Sequence, residues 1–309
     1  MTRLLAPRAS FHDVSVLANP PQFSIITCSF QASRFVRRCH WSLAQQETTD
    51  WEWIIVDDAS MDDTAEVVRA LGDSRIRYMR LETNVGRGRA RLYALQHARG
   101  HWIAVHDMDD VSFPDRLSRA QQAMSNGYDY LCSPVALIDN HYRLTGVRGL
   151  QNAGYPKAFV HATLCGDTEL VRRIGYPPYR RAQDVTLVYT LANNYRGCFC
   201  PDPLYVYHEN ASVTLYGAIQ GQYYFFKQLR ELVESGMVKR TYEVRRMQII
   251  RLLKLVGLLP FWLCPPLYRK TIAWRDSQPM SVTCMGDHRS EFIRRCAQLH
   301  PIDVQPRET

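Results

Sequence analysis

Short β-rich runs alternate with longer helical stretches in the first part of this chain. The runs at 23–28, 51–56 and 75–81 have the length and the branched or aromatic content of buried strands. The stretches at 35–46 and 87–99 carry apolar residues at helical spacing. This rhythm predicts an α/β fold with a mostly parallel sheet, because parallel neighbours need crossover connections and those crossovers are right-handed.

Acidic residues follow two of the predicted strands. Asp57 and Asp58 close the run WEWIIV, and the segment HDMDD at 106–110 follows the run HWIAV. Open parallel sheets bind ligands beyond the carboxyl ends of their strands, so we expect both acidic groups at one edge of the sheet. Unpaired charge is costly to bury, so a cation, an arginine or solvent must face these carboxylates. For Asp58, Asp62 and Asp63 a turn or capping role is the alternative.

The second acidic group has the spacing of a metal site. Asp107 and Asp109 are separated by one residue, and carboxylate oxygens are the ligands that Mg²⁺ and Mn²⁺ prefer. A cation held by two carboxylates keeps coordination positions for phosphate oxygens, and it acts as a Lewis acid for a phosphate leaving group. The pair therefore predicts a Mn²⁺ or Mg²⁺ site, with a simple turn as the alternative.

The periodicity is weaker in the middle of the chain. Residues 128–139 are interpreted as a strand pair with a turn, and 143–149 as an exposed hairpin or loop. Two helices are predicted, a short one within 168–178 that ends at Gly and Pro and a longer one at 183–194. Residues 198–214 are interpreted as a final strand and a polar loop.

Positive charge is concentrated in the C-terminal part. The net charge is +8, and from Tyr216 onward there are 15 Lys and Arg against 8 Asp and Glu. The segment 245–270 mixes these cations with Leu, Ile, Phe and Trp, and Pro260 divides it. Such a segment is typical of a helix lying in a membrane interface, and packing on the rest of the fold is the equal alternative. No recognition helix, stacking motif or Cys/His finger accompanies the charge, which argues against a nucleic-acid partner.

The sequence carries no export or membrane-span signal. The first residues lack the apolar core of a secretory signal, and no run reaches the roughly 18 apolar residues of a spanning helix. The nine cysteines are scattered, and Cys198 with Cys200 lacks further ligands at metal spacing. We therefore expect reduced thiols and a cytoplasmic protein, peripheral on the inner face of the cell membrane if 245–270 binds it.

Six sequence blocks together resemble a known family. FSIITCSF, WEWIIVDDASMDDT, NVGRGRAR, GHWIAVHDMDDVSFPDRL, AQDVTL and YVYHENASVT have the order and about the spacing of the family 2 glycosyltransferases with the GT-A fold. The resemblance covers roughly residues 22–215. It implies a GT-A catalytic domain over 22–215, preceded by an extension (1–21) and followed by a basic helical region (216–309).

The resemblance assigns roles to individual residues. The positions similar to donor-binding ones are Thr27, Asp57, Asp58, Asn84, Gly86, Arg91 and Asp107. Asp109 resembles the metal ligand, and His208 resembles a histidine that completes the metal or diphosphate site in some relatives. Asp184 resembles the general base. On local sequence, a helix N-cap for Asp184 and a structural hydrogen-bonding role for His208 are the alternatives.

The implied activity is that of an inverting, metal-dependent hexosyltransferase. It moves a single sugar from a nucleotide-diphosphate sugar, with a UDP-sugar as the expected donor, to a hydroxyl of a glycan or lipid-linked acceptor in polysaccharide biosynthesis. Leu92 and Val206 stand where the family commonly has Asn and Arg, so a catalytically inactive sugar-nucleotide-binding protein is an alternative. A nucleotidyltransferase on a related fold is the other alternative, although its glycine-rich phosphate loop is missing.

Overall fold

The computed structural model describes residues 9–12, 20–139, 141–149, 159–179, 181–208, 215–239, 241–258 and 287–298. These residues form an eight-stranded sheet with helices on both faces, and a four-stranded sheet beside it. The strands are β1 Ala9–His12, β2 Phe23–Ser29, β3 Trp51–Asp57, β4 Ile76–Leu81, β5 Trp102–Val105, β6 Val111–Ser112, β7 Tyr130–Cys132, β8 Val135–Ile138, β9 Leu144–Arg148, β10 Cys165–Asp167, β11 Gly197–Phe199 and β12 Tyr205–His208. The helices are α1 Ser33–Ala44, α2 Thr64–Arg69, α3 Arg87–His97, α4 Arg116–Ser125, α5 Thr168–Ile174, α6 Asp184–Asn194, α7 Leu215–Glu234, α8 Tyr242–Leu258 and α9 Asp287–Gln298.

The large sheet is parallel at its centre. Its strand order is β1-β4-β3-β2-β5-β10-β7-β11, and the strands β4, β3, β2 and β5 run in the same direction. β10 runs antiparallel to both β5 and β7, and β1 pairs antiparallel with β4 at one edge. The prediction of a mostly parallel α/β sheet is confirmed, and the segment before residue 22 adds a strand to it.

Two helical layers cover the large sheet. α1, α2 and α4 pack on one face, where Phe35, Val68 and Leu117 join the apolar core. α3, α5 and α6 pack on the other face, with residues such as Tyr93 and Leu187 in a second core. All seven residues of β3 are buried, as expected for a central strand between two layers. Each large apolar side chain fully buried in this way stabilises the fold by about 1.5–3 kcal/mol.

The smaller sheet has the order β6-β12-β8-β9 and follows directly from β5. β7 and β8 were expected to pair with each other, but β7 belongs to the large sheet and β8 to the small one. The segment 143–149, expected as an exposed hairpin or loop, contains β9, which pairs antiparallel with β8. Residues 198–214, expected to hold one strand, contribute to both β11 and β12.

A buried glutamate joins the amino-terminal ends of the central strands. Glu52 accepts a hydrogen bond from Ser24 Oγ at 2.6 Å, and from the backbone N–H of Arg99 at 2.9 Å. Arg77 and Arg99 also contact its second oxygen at 2.9 Å and 3.0 Å. Burial would raise the pKa of Glu52, but these hydrogen bonds, with that of Ser24 first, lower it below its usual value.

The C-terminal helices pack in two places. α7 and α8 form a helical pair on α6, where Val244 and Leu229 share an apolar cluster with Val185. α9 lies on the small sheet, where Phe292 contacts Trp41 and Phe113 with ring centroids 5.2 Å and 5.4 Å apart. Among the described residues, none of the helices is long and apolar enough to cross a membrane. The part of the predicted interfacial segment 245–270 from residue 259 onward, with Pro260, lies outside the described residues.

Candidate functional site

The carboxyl ends of β2, β3 and β5 open into a cleft of about 1210 Å³. Its walls come from the ends of these strands, the start of α3, the segment before α6, the end of β9 and one residue of α7, Gln220. The carboxylates on the walls are Asp58, Asp107, Asp109 and Asp184. The arginines on the walls are Arg87, Arg89, Arg91, Arg148 and Arg181. The two acidic groups therefore meet at one edge of the sheet, as the parallel strands predicted.

Asp58 fixes the loop that leads into α3. Its two carboxylate oxygens accept hydrogen bonds from the backbone N–H groups of Val85 at 2.7 Å and Gly86 at 2.9 Å. Asn84 completes the link by donating from its side chain to the Asp58 carbonyl at 3.1 Å. Burial raises the pKa of Asp58, while the two amide hydrogen bonds act in the opposite direction. Gly86 has φ +88°, a conformation that glycine adopts without strain.

Asp107 is paired with an arginine from α3. Arg91 is buried, and its Nη2 contacts the Asp107 Oδ1 at 2.5 Å. Burial alone would raise the pKa of Asp107, but the guanidinium groups of Arg91 and Arg87 lower it to about 2. Asp107 is therefore ionised at neutral pH, and its charge is offset by a cation of the chain itself.

Asp109 and Asp110 add two further carboxylates beside Asp107. Asp109 lies on the cleft wall, whereas Asp110 is buried and accepts a hydrogen bond from the backbone N–H of His208 at 2.8 Å. Burial raises the pKa of Asp110 well above its usual range, and the charges of Asp109 and Asp107 act in the same direction. Asp110 therefore holds the end of β12 from behind the cleft wall.

His208 lies behind the cleft wall rather than on it. Its ring packs against Phe35 and Tyr142, with centroids 6.0 Å and 5.8 Å away. Burial lowers its pKa to about 4, and Arg38 and Arg34 act in the same direction, so the imidazole is neutral. Neither ring nitrogen has a hydrogen-bond partner within the described part of the chain. A neutral, unpaired imidazole has the chemistry of a metal ligand, but its position does not support direct contact with a ligand in the cleft.

Thr27 and Asp57 also lie behind the wall. The Thr27 hydroxyl accepts a hydrogen bond from the indole N–H of Trp53 at 2.8 Å. The Asp57 carboxylate accepts from the Ser60 backbone N–H at 2.9 Å and from the Tyr78 hydroxyl. Both residues are fully buried and neither lines the cleft, so the direct donor contact expected for them is not supported by their positions. Their side chains instead hold the ends of β2 and β3.

Asp184 is the first residue of α6 and faces the cleft. The helix N-cap is Gln183, and no side-chain capping hydrogen bond is present there, so the N-cap alternative for Asp184 is wrong. A carboxylate in the first turn of a helix is stabilised in its ionised form by the helix dipole. Gln183 also packs on α3, because a Cβ added to Gly88 would lie 2.6 Å from the Gln183 Cγ. The base candidate is thus coupled to the helix that carries Arg91.

Backbone strain is concentrated around the cleft. Four non-glycine residues in the described part of the chain have positive φ. Two of them, Gln31 (φ 52°) and Ala182 (φ 55°), line the cleft. Ala59 follows Asp58 directly, and Tyr142 is the fourth. Left-handed conformations of this kind cost about 1–3 kcal/mol each and persist where the surrounding structure holds them.

His161 is a cleft residue that the sequence did not single out. It lies in a 3-10 turn just before β10, and its Nε2 is 2.9 Å from the Tyr176 hydroxyl. Burial lowers its pKa to about 4, with Arg91 acting in the same direction against Asp184 and Asp107. A neutral imidazole therefore lies near both Asp107 and Asp184. The segment around His161 has no periodicity or acidic pair that would have indicated it.

The donor set of the cleft fits a divalent cation only in part. Among the described residues, no group of three or more His, Cys, Asp or Glu side chains has the arrangement of a complete metal site. Mg²⁺ and Mn²⁺ bound with phosphates need only one or two carboxylates from the protein. Asp109 on the cleft wall, beside the ionised Asp107, meets that smaller requirement. The residues thus fit a cation that a bound diphosphate completes.

The sequence of this chain is similar to one family profile and to named relatives. Residues 24–168 match the sequence profile described as Glycosyl transferase family 2. The succinoglycan biosynthesis protein ExoO of Rhizobium meliloti is 38% identical over 99 residues, which is 32% of this chain and 28% of ExoO. The chain thus matches less than a third of that relative's length.

Two solved structures resemble the fold. Staphylococcus aureus TarS 1–349 in complex with UDP-GlcNAc has a TM-score of 0.56 and 20% identity, covering 82% of this chain and 76% of that one. The mannosyltransferase PcManGT from Pyrobaculum calidifontis, in complex with GDP-Man and Mn²⁺, has a TM-score of 0.55 and 16% identity. It covers 93% of this chain and 89% of that one. At these identities the likeness establishes the fold.

Proposed function

Because the chain contains a family 2 glycosyltransferase domain with the GT-A fold, we propose that it transfers a single sugar from a nucleotide-diphosphate sugar to a hydroxyl acceptor, with inversion. The observation that carries the proposal is the convergence of Asp58, Asp107, Asp109 and Asp184 on one cleft of about 1210 Å³. Its size suits a nucleotide sugar with room for an acceptor, since ligand pockets are commonly about 300–1,000 Å³.

The donor nucleotide is held at the β2 and β3 side. Asp58 fixes the backbone of Val85 and Gly86, and the loop so formed lines the cleft next to Asn84. Asp107, kept ionised by Arg91, offers a charged acceptor to a ribose hydroxyl. We propose a UDP-sugar as the donor, which is the kind of ligand that TarS holds, whereas PcManGT holds a GDP-sugar.

Asp109 would hold a divalent cation beside the diphosphate of the donor. When bound, Mn²⁺ or Mg²⁺ supplies the positive charge that stabilises the departing nucleotide diphosphate. Asp109, which lies on the cleft wall beside the ionised Asp107, is the residue that would ligate the cation. The exposed Arg87 and Arg89 at the start of α3 supply further positive charge at the wall.

Asp184 is the general base. Inversion in one step requires a single carboxylate that takes the proton of the acceptor hydroxyl while that oxygen attacks the anomeric carbon from the face opposite the diphosphate. Asp184 lies on the cleft wall, as the first residue of α6. The neutral His161 nearby adds no competing positive charge.

The acceptor is a glycan or a lipid-linked sugar in polysaccharide biosynthesis. The likeness to ExoO, a succinoglycan biosynthesis protein, supports this assignment. Leu92 and Val206, which motivated the alternative of an inactive binding protein, have packing roles. Leu92 lies 3.7 Å from the position of a Cβ on Gly175, and Val206 is fully buried in β12. The positions of these two side chains therefore do not favour loss of activity.

Two matched variants test the proposal. Asp184→Asn should lower transfer by about 10²–10⁴-fold while leaving donor affinity nearly unchanged, because a general base acts only on the acceptor proton. Asp109→Asn should abolish turnover and weaken Mn²⁺-dependent donor binding by about tenfold or more, since even outer-shell partners of a metal contribute 10- to 100-fold. Release of the nucleotide diphosphate is measured over a panel of donors, with and without lipid extract, and affinity by calorimetry.

The exposed Asp202 lies outside the cleft and contacts Arg119 at 3.7 Å, and it provides the control variant Asp202→Asn. This variant should behave like the wild type. If Asp184→Asn or Asp109→Asn were as active as the wild type, the assigned role of that residue would be wrong. Donor binding without transfer to any acceptor would point instead to a sugar-nucleotide-binding protein.

A further inference from the structure

The outer face of α8 carries a stripe of exposed apolar side chains. Tyr242, Ile249, Leu252, Leu253 and Val256 are between 48% and 76% exposed. Ile249 follows Tyr242 by seven residues, Leu253 follows Ile249 by four, and Val256 follows Leu253 by three. These spacings place the side chains on one side of a helix. We refer to these five residues as the α8 stripe.

The opposite side of α8 is the one that packs. Val244 is buried in the cluster formed with the end of α7, and Arg251 stacks on Phe225 with its guanidinium carbon 4.0 Å from the ring centroid. The α8 stripe is therefore the face left over once the helix has docked on the fold. Single exposed apolar residues are common on proteins, but an aligned set of five on one helix marks an interaction surface.

Cations flank the α8 stripe. Arg245 and Arg246 are exposed and lie one turn after Tyr242, and the exposed Lys254 lies beside Leu253 in sequence. The only acid in α8 is Glu243. A helix with apolar side chains between exposed cations matches a surface that is apolar inside and negatively charged outside, which is the surface of an anionic lipid bilayer.

The C-terminal half of α8 packs on the part of α7 that lines the cleft. α8 runs antiparallel to α7, because Val244 near its start clusters with Leu232 near the end of α7, while Arg251 donates to Gln222 near the start of α7 at 3.1 Å. Gln220, two residues before Gln222, lines the cleft. The C-terminal half of α8, which carries Leu252, Leu253 and Val256 on its outer face, therefore packs beside the part of α7 that reaches the cleft.

We infer that the α8 stripe docks the protein on an anionic lipid bilayer and presents the cleft to an acceptor carried by a lipid in that bilayer. Binding of the bilayer stands on the exposed stripe and its flanking cations. The second half of the inference, that the acceptor is lipid-borne, rests on the proposed function.

Partition of the full-length protein to vesicles tests the first half. Vesicles of phosphatidylcholine with phosphatidylglycerol are compared with vesicles of phosphatidylcholine alone. The wild type should bind the anionic vesicles, and binding should fall as salt rises, because the screening length shortens from about 10 Å at 0.1 M to about 3 Å at 1 M. Ile249→Ser combined with Leu253→Ser should lower the partition coefficient by about a hundredfold, or about tenfold for each side chain.

Replacing the cations distinguishes electrostatic attraction to the bilayer from insertion of the apolar side chains into it. Arg245→Gln combined with Arg246→Gln should weaken binding to anionic vesicles by about 25-fold, or about fivefold for each arginine, without affecting the neutral vesicles. Met61→Ser and Arg143→Gln change an exposed apolar residue and an exposed cation outside the α7–α8 pair, so they should leave partition unchanged. All these side chains are exposed, so the variants should melt like the wild type.

Three outcomes would overturn the inference. They are absence of wild-type binding to anionic vesicles, equal partition of the wild type and the Ile249/Leu253 variant, and a dimer in sedimentation that this variant dissociates. The last outcome would assign the α8 stripe to a second copy of the chain. Transfer to a soluble acceptor, measured without vesicles, should be the same in all these variants. Loss of the proposed function would appear in that assay alone, so it is distinguishable from loss of bilayer binding.

Discussion

Asp58→Asn should weaken donor binding through the loop that Asp58 holds. In the wild type both carboxylate oxygens accept backbone hydrogen bonds, from Val85 at 2.7 Å and from Gly86 at 2.9 Å. An asparagine keeps one carbonyl oxygen and turns an NH₂ group toward the other N–H, so one of the two bonds is lost. A hydrogen bond to a charged group contributes about 1.5–3 kcal/mol.

Part of that loss of binding free energy is offset, because a neutral amide costs less to bury than a carboxylate. Burial raises the pKa of Asp58, which means that the ionised carboxylate is destabilised in its place and that a neutral amide recovers some of this cost. The net change should be about 1–2 kcal/mol, which corresponds to an increase in donor Kd of about 5- to 30-fold. Turnover at saturating donor should change less, because Asp184 is untouched.

Calorimetry with the nucleotide diphosphate and with the nucleotide sugar, both in Mn²⁺, measures the change. Asp202→Asn is again the matched control, since its side chain is exposed and outside the cleft. A donor Kd for Asp58→Asn within twofold of the wild type, with an unchanged melting temperature, would refute the view that Asp58 orders the loop at Val85 and Gly86.

Two further changes test the scaffold. Glu52→Gln should lower the free energy of unfolding by about 3 kcal/mol at pH 7, because it leaves the guanidinium groups of Arg77 and Arg99 without their buried charge partner. The pKa of Glu52 is lowered in the folded state, so its contribution to the free energy of unfolding is fully present above the unfolded pKa near 4.5 and is lost as pH falls through the folded pKa. Urea titrations of the variant and the wild type should therefore converge in acid. Gly88→Ala should reduce turnover, because the new Cβ would displace Gln183 beside Asp184, whereas Gly221→Ala in α7 meets open space and should be neutral or slightly stabilising. Equal kcat values for the two alanine variants would contradict that coupling.

The sequence predicted the elements around the cleft within a few residues. The runs at 51–56 and 75–81 became β3 and β4, and the stretch at 183–194 became α6 from Asp184 to Asn194. The strands are long runs of β-branched and aromatic residues, and the helices carry apolar residues at helical spacing, so both are recognisable locally. The pairing of β7, β8 and β9 was harder to predict, because strands of three to five residues have too few positions to specify a partner.

The candidate site also has parts that the sequence predicted and parts that it did not. The meeting of Asp58 with Asp107 and Asp109 was predictable, because parallel strands bring their carboxyl ends to one edge. The sequence did not indicate that the Thr27 side chain turns inward to Trp53, or that His161 reaches the cleft. A side chain's direction at a strand end depends on the register and twist of its neighbours.

The sequence by itself determined the alternation of strands and helices, the acidic ends of β3 and β5, and the basic character of the C-terminal part, since each is a property of residues near one another in the chain. Only the tertiary structure decided that β10 enters the large sheet antiparallel, that His208 stays behind Phe35, and that α8 leaves an apolar face exposed. These features depend on contacts between distant segments, whose free energies are set by burial and pairing in three dimensions rather than by local pattern.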